Sequence, residues 1–202
     1  MRLWVAIKMT LMLTLLTGIA YPLAIVALAH LFFPAQAEGG LIVRKGQVVG
    51  AQEIGQNFFS PRYFHGRPSA AGSNGYDASS SGGSNLGPTN KTLIETVRAR
   101  VSTLREKEPG INHGELPVDL VTASASGLDP EVSPAAAAIQ VARIARVRGL
   151  AERTVRSLIE SNTRGRALGI LGEPGVNVLA LNLALDDLDH HSSGPGQTGR
   201  RR

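Results

Sequence analysis

The chain has 202 residues, 43% of them hydrophobic, with 21 Lys and Arg against 16 Asp and Glu and no cysteine. Lack of cysteine excludes disulfides and thiolate metal sites. Five of the cations lie at the ends (Arg2, Lys8, Arg200, Arg201, Arg202), leaving 16 bases against 16 acids between, so the charge gives no support to a nucleic-acid-binding domain.

The first element is an apolar run from Met9 to Ala37, 29 residues without Asp, Glu, Lys or Arg. About 20 apolar residues suffice to cross the ~30 Å hydrocarbon core of a bilayer. Ala35-Gln36-Ala37 also fits a signal-peptidase site, and Arg2 and Lys8 would serve as its charged leader. Secretory apolar regions run only ~7–15 residues, so an uncleaved anchor is the better reading. Gly18 and Pro22 lie mid-span, as packed membrane helices tolerate. Two cations precede the span and none stands in residues 34–43. The excess of positive charge on the cytoplasmic side then places the N-terminus inside and the remainder outside.

Leu41–Val43 and Val48–Val49 around Lys45-Gly46 predict a short hairpin. Residues 50–90 are loop-like, yet Phe58, Phe59, Tyr63 and Phe64 argue for an ordered, packed loop. Thr89 or Asn90 caps a helix to about Lys107, striped by Leu93, Ile94, Val97, Val101 and Leu104 and ended by Pro109-Gly110. Leu120–Ala123 reads as a strand. Ser133, with Pro134 at the first helical position, opens a helix that runs to Gly149. A further helix covers about Ala151–Ser161, and Val176–Leu188 reads as either helix or strand, with helix favoured. The composition therefore predicts a single N-terminal transmembrane helix followed by one α+β extracytoplasmic domain with long ordered loops. Its divisions are residues 1–8 in the cytoplasm, 9–33 in the membrane, 34–188 folded, and 189–202 a disordered Gly/Ser/Arg tail.

Catalytic groupings are weak. The histidines at 30, 65, 113, 190 and 191 have no metal-ligand spacing with a carboxylate, and Ser126 and Ser133 lie outside any nucleophile elbow. Residues 139–166 carry seven arginines over a helix–glycine–helix outline, which suggests a membrane-tethered helix-turn-helix regulator. Six acids in residues 106–131 oppose that charge within the same neutral domain. Ser81-Gly82-Gly83-Ser84-Asn85 is a possible phosphate nest, because consecutive backbone N–H groups in such a turn converge on an anion. It has no preceding strand and no lysine at P-loop spacing.

Several segments carry a resemblance in order: Tyr21-Pro22 in one span, YFHGRPSA at 63–70, SGGSNLGPTN at 81–90, DLVTASASGLDP at 119–130, SPAAAAIQVARIARVRGL at 133–150 and LGEPGVNVLALNLALD at 171–186. Together they resemble the C subunit of the Kdp-type potassium-transporting ATPases of bacteria, over essentially the whole chain to Leu188. The resemblance implies a non-catalytic accessory subunit of the bacterial inner membrane. Its implied partners are a potassium-selective channel-like subunit, a P-type ATPase subunit and a very small membrane peptide, besides membrane lipid. It implies no cofactor of the chain's own, with ATP and K⁺ handled by the complex. It also implies either a catalytic chaperone raising the ATPase subunit's affinity for ATP or an extracytoplasmic cap on the channel-like subunit. Ser81, Gly82, Gly83, Ser84, Asn85 and Gln140 resemble a nucleotide-signature loop. Tyr21, Pro22, Tyr63, Phe64, Arg67, Pro68 and Ser69 are the expected partner contacts. Cleavage after Ala37 would instead make a secreted binding protein.

Overall fold

A computed structural model describes residues 2–108, 111 and 115–192, and the chain divides into two compact units, residues 1–51 and 52–202. The first unit is a helix followed by a hairpin. One continuous helix spans Arg2–Phe32, in which α1 (Arg2–Leu15) and α2 (Tyr21–Phe32) are joined by a π turn over Leu16–Ala20. Pro22 accounts for the join. It has no N–H to donate and its ring crowds the carbonyl four residues back, so the preceding turn widens. No residue of this helix is buried within the chain. Its 31 residues are long and apolar enough to cross a bilayer, extending ~46 Å at ~1.5 Å per residue. After the short α3 (Pro34–Ala37), β1 (Leu41–Arg44) and β2 (Gln47–Ala51) pair antiparallel. Lys45 and Gly46 both hold positive φ, 51° and 78°, as a two-residue turn matched to strand twist requires.

The second unit opens with a long, ordered stretch whose main regular piece is a single 3-10 turn at Ala78–Ser80. Then α4 (Lys91–Lys107) starts where Asn90 accepts from the Thr92 N–H at 2.9 Å. Its predicted stop at Pro109-Gly110 and His113 lie outside the described residues, as do residues 193–202. The expected strand at Leu120–Ala123 is instead a 3-10 turn at Val118–Leu120. The turn lets Leu120 enter the core while Asp119 accepts from the Ser133 N–H at 2.6 Å. The helix expected from Ser133 to Gly149 is interrupted at Gln140, giving α5 (Pro134–Ile139) and α6 (Val141–Arg148). Next come α7 (Glu152–Ser161) and α8 (Val178–Ser192).

Three strands too short to show a pattern, β3 (Glu131–Val132), β4 (Thr163–Arg164) and β5 (Gly175–Asn177), form an antiparallel sheet in the order β3-β5-β4. Val176 is thus strand, not the start of the last helix, and that helix runs past Leu188. Asp189, expected in the disordered tail, sits in α8 and is paired with two arginines. The core joins Val132 and Val176 of the sheet to Ala136, Ile144, Val155, Leu181 and Leu185 of the helices. Phe64 of the long loop is sealed among them with no exposed surface.

Candidate functional site

Phe64 explains why the aromatic loop is ordered. Burying the ring drags the backbone of residues 61–65 under the protein surface, where each N–H and C=O needs a partner. Two amide side chains supply them as a strand would. Asn182 accepts from the Phe64 N–H at 2.8 Å and donates to the Phe64 carbonyl at 3.0 Å. Gln140 accepts from the His65 N–H at 2.8 Å and donates to the His65 carbonyl at 3.0 Å. The helix break at Gln140 sits at this contact.

Arginines from α6 complete the set. Arg143, 4% exposed, donates to the carbonyls of Pro61 and Tyr63, to Gln140 Oε1 at 2.7 Å and to Glu108 Oε1 at 2.7 Å. Four of the five guanidinium N–H groups are therefore occupied. Glu108 is buried as well, and its Oε2 has no hydrogen-bond partner among the described residues. Burial pushes its carboxyl up from the usual range, while Arg143 pulls the other way. Arg148, with a fully buried side chain, donates to the Arg62 carbonyl, to Asp186 at 2.9 Å and to Asp189 at 2.7 Å, and lies 5.0 Å from the centre of the Tyr63 ring. The Tyr63 hydroxyl donates to Asp186 at 3.0 Å, and burial followed by this carboxylate raises its pKa. His65 Nε2 lies 3.1 Å from the Ser60 carbonyl, an acceptor only, so it is the protonated nitrogen of this contact. Burial first and Arg143 second hold its pKa down.

The remaining signature segments of this unit interlock beside this one. Ser69 donates to the Gly127 carbonyl at 2.6 Å and accepts from the N–H groups of Ala71 and Tyr76. Arg67 pairs with Asp129 at 2.8 Å, and the Tyr76 hydroxyl donates to the Arg67 carbonyl at 2.7 Å. Burial first, and Asp129 second, push the Tyr76 phenol up to about 12. Removing that hydroxyl strands a carbonyl, so Tyr76→Phe should lower stability by ~1–2 kcal/mol in urea unfolding of the full chain in detergent. An unchanged midpoint would refute it.

The nucleotide-signature residues are not brought together. The Gly82 N–H and the Ser81 hydroxyl bind the Ser126 carbonyl at 2.9 and 3.0 Å, and Gly83 packs against the backbone of Ala125. Ser84 and Asn85 continue that loop, Asn85 at φ 52°. Gln140 is 1% exposed, and its amide is committed to His65 and Arg143. It borders a cavity of about 450 Å³ whose lining includes Arg100, Lys107 and Leu120 but none of residues 81–85. Of the expected partner contacts, Phe64 is wholly inside and Tyr63 partly so, while Arg67, Pro68 and Ser69 are half-buried among the interlocked loops. Tyr21 is 63% exposed on the first helix, beside Pro22. Arg143 and Arg148 face inward, so the helix–glycine–helix segment does not present them to a nucleic acid.

Sequence reading missed Glu108, Asn182, Asp186 and Asp189. Asn182 had a visible signal, a polar residue between Leu181 and Leu185 on the apolar face of its helix. Asp186 and Asp189 follow it at intervals of four and three, one face of α8.

Comparison with known proteins covers the same extent. The family model described as KdpC: K+-transporting ATPase, c chain, matches residues 3–187. The chain is similar to the potassium-transporting ATPase KdpC subunit of Polaromonas naphthalenivorans, at 58% identity over 91% of this chain and 93% of that one. It is similar to those of Gemmatimonas aurantiaca (57% identity, 91% of each) and Methylococcus capsulatus (54%, 91% and 96%). With the signature segments of the second unit interlocked in one fold and the match running nearly end to end, the chain belongs to the KdpC family, the c chain of K+-transporting ATPases.

Proposed function

We propose that this subunit is anchored in the bacterial inner membrane by residues 9–33, with its N-terminus in the cytoplasm and its folded unit outside. There it caps a potassium-selective channel-like subunit in a high-affinity, ATP-driven K⁺ import complex that also contains a P-type ATPase subunit and a small membrane peptide. It stabilises assembly and has no catalytic site or cofactor of its own. The observation that carries this reading is the internal commitment of the signature residues. Gln140 bonds His65 and Arg143, while Ser81, Gly82 and Gly83 bond or pack against Ala125 and Ser126 at a separate place. With the domain outside, a chaperone effect on ATP affinity acts through the complex as coupling between distant sites rather than by contact with the nucleotide. Tyr21 and Pro22 are the contacts expected within the membrane.

A reporter fused to the C-terminus tests the orientation. Alkaline phosphatase should be active there and a fluorescent protein dark; a bright fluorescent fusion with inactive phosphatase would overturn the cap.

A further inference from the structure

Exposed apolar side chains gather at one place in the second unit. Leu168, Ile170 and Leu171 lie within four residues and are 89%, 75% and 58% exposed. They form the tip of the connection between β4 and β5, and that tip closes on itself. Ala167 and Leu171 exchange N–H···O bonds at 2.8 and 2.9 Å, while Gly169 and Ile170 donate to the carbonyls of Arg166 and Ala167. With these N–H groups already paired, the tip can leave water without stranding them.

Its conformation is also strained. Leu168 holds φ 54°, where a side chain crowds the following carbonyl and glycine is at ease. Glycine would make the same turn freely, as Gly169 and Gly172 do beside it at 76° and 78°. Inside the chain the Leu168 side chain has almost no contact to justify the strain. Backbone strain held at an exposed position is a pointer to function.

We propose that this tip is a rigid knob that seats in an apolar socket on another protein subunit of the ATPase; this rests on the reading above that the chain assembles with such subunits. The rim decides between a protein socket and lipid. Arg164 pairs with Glu131 at 2.9 Å and Arg166 with Glu173 at 2.8 Å, so the base of the tip is charge-balanced and offers no net attraction to anionic headgroups. The tip carries no aromatic residue of the kind that settles at a bilayer interface. A fluid bilayer also gives no advantage to a fixed, strained shape, whereas a packed socket does. Among the described residues, the larger cavities that a second copy offers include charged groups such as Glu115, Asp129, Arg100 and Lys107 in their lining, which an apolar tip would cover without pairing.

The test uses this chain, tagged and co-expressed with the other subunits of its ATPase, with the complex captured in mild detergent. Leu168→Gly separates docking from folding, because it relieves the backbone while deleting the knob. The thermal midpoint of the variant chain should hold or rise, while retention of the other subunits falls about tenfold or more, as for a central interface residue. Ile170→Ser should act in the same direction without touching the strained position. A photo-crosslinker at position 168 should join this chain to one of those subunits, identified by mass spectrometry. Unchanged retention in both variants, or crosslinks confined to lipid or to a second copy, would overturn the knob while leaving assembly intact. Failure of the unmodified chain to retain any subunit would overturn the assembly reading and the knob with it.

Discussion

Replacing Gly127 by alanine should destabilise the second unit by ~2–4 kcal/mol, the sum of a left-handed backbone penalty of about 1 kcal/mol and the strain of overpacking. Gly127 holds φ 67°, and a Cβ built there would stand 2.7 Å from the Ala71 Cβ, 2.8 Å from the Ala71 nitrogen and 2.8 Å from the Gly82 carbonyl oxygen. Two of the three are backbone atoms, which cannot swing aside. The same residue's carbonyl is held by Ser69, so the loop cannot back away without breaking that bond. Gly149 is the internal control. It has nearly the same φ, 68°, and a Cβ there would meet nothing within 4 Å, so Gly149→Ala should show only the backbone penalty of about 1 kcal/mol. Urea unfolding of both full-length variants in detergent makes the comparison. Equal losses would mean that the interlocked loops are looser than their distances indicate.

The glycine and serine content that makes residues 50–90 look like a flexible linker is thus what allows them to pack. Gly55 and Gly66 make the point again, since a Cβ at either would run into the Tyr76 side chain. Composition alone suggests disorder; the embedded aromatics were the legible sign of order, and Phe64 turned out to be the residue that anchors the loop. Helices α4 and α7 were readable because a cap and an apolar stripe are local features. The sheet was not, because strands of two or three residues are defined by who pairs with them and carry no period of their own. The same limit hid the partners of Arg143 and Arg148. Their charge was visible and suggested a nucleic-acid surface, but their direction depends on Phe64 having pulled carbonyls 61–63 inward, a contact some 80 residues away in sequence. Polar residues such as Gln140, Asn182, Ser69 and Arg143 therefore fasten loop backbone in a chain short of bulky core.

Arg143→Ala should be the most damaging single change, lowering stability by ~3–5 kcal/mol near neutral pH. It deletes the donors that serve Pro61, Tyr63 and Gln140, and it leaves Glu108 buried with neither carboxylate oxygen paired among the described residues. The pH dependence identifies the cause. Burial already raises the folded-state pKa of Glu108 above its unfolded value, so the group favours the fold when protonated, and that contribution is lost as pH rises through the folded-state value. Without the guanidinium the rise is larger, because the attraction opposing it is gone. The penalty of Arg143→Ala should therefore grow between pH 5 and pH 8 instead of staying level. Adding Glu108→Gln to Arg143→Ala should restore part of the loss at pH 8 and little at pH 5, since a neutral amide removes the unpaired charge but not the missing donors. Urea midpoints for wild type, both single variants and the double variant at the two pH values form the cycle. A penalty that does not change with pH would show that the donors to the 61–63 carbonyls, rather than the buried carboxylate, carry the energy of this contact.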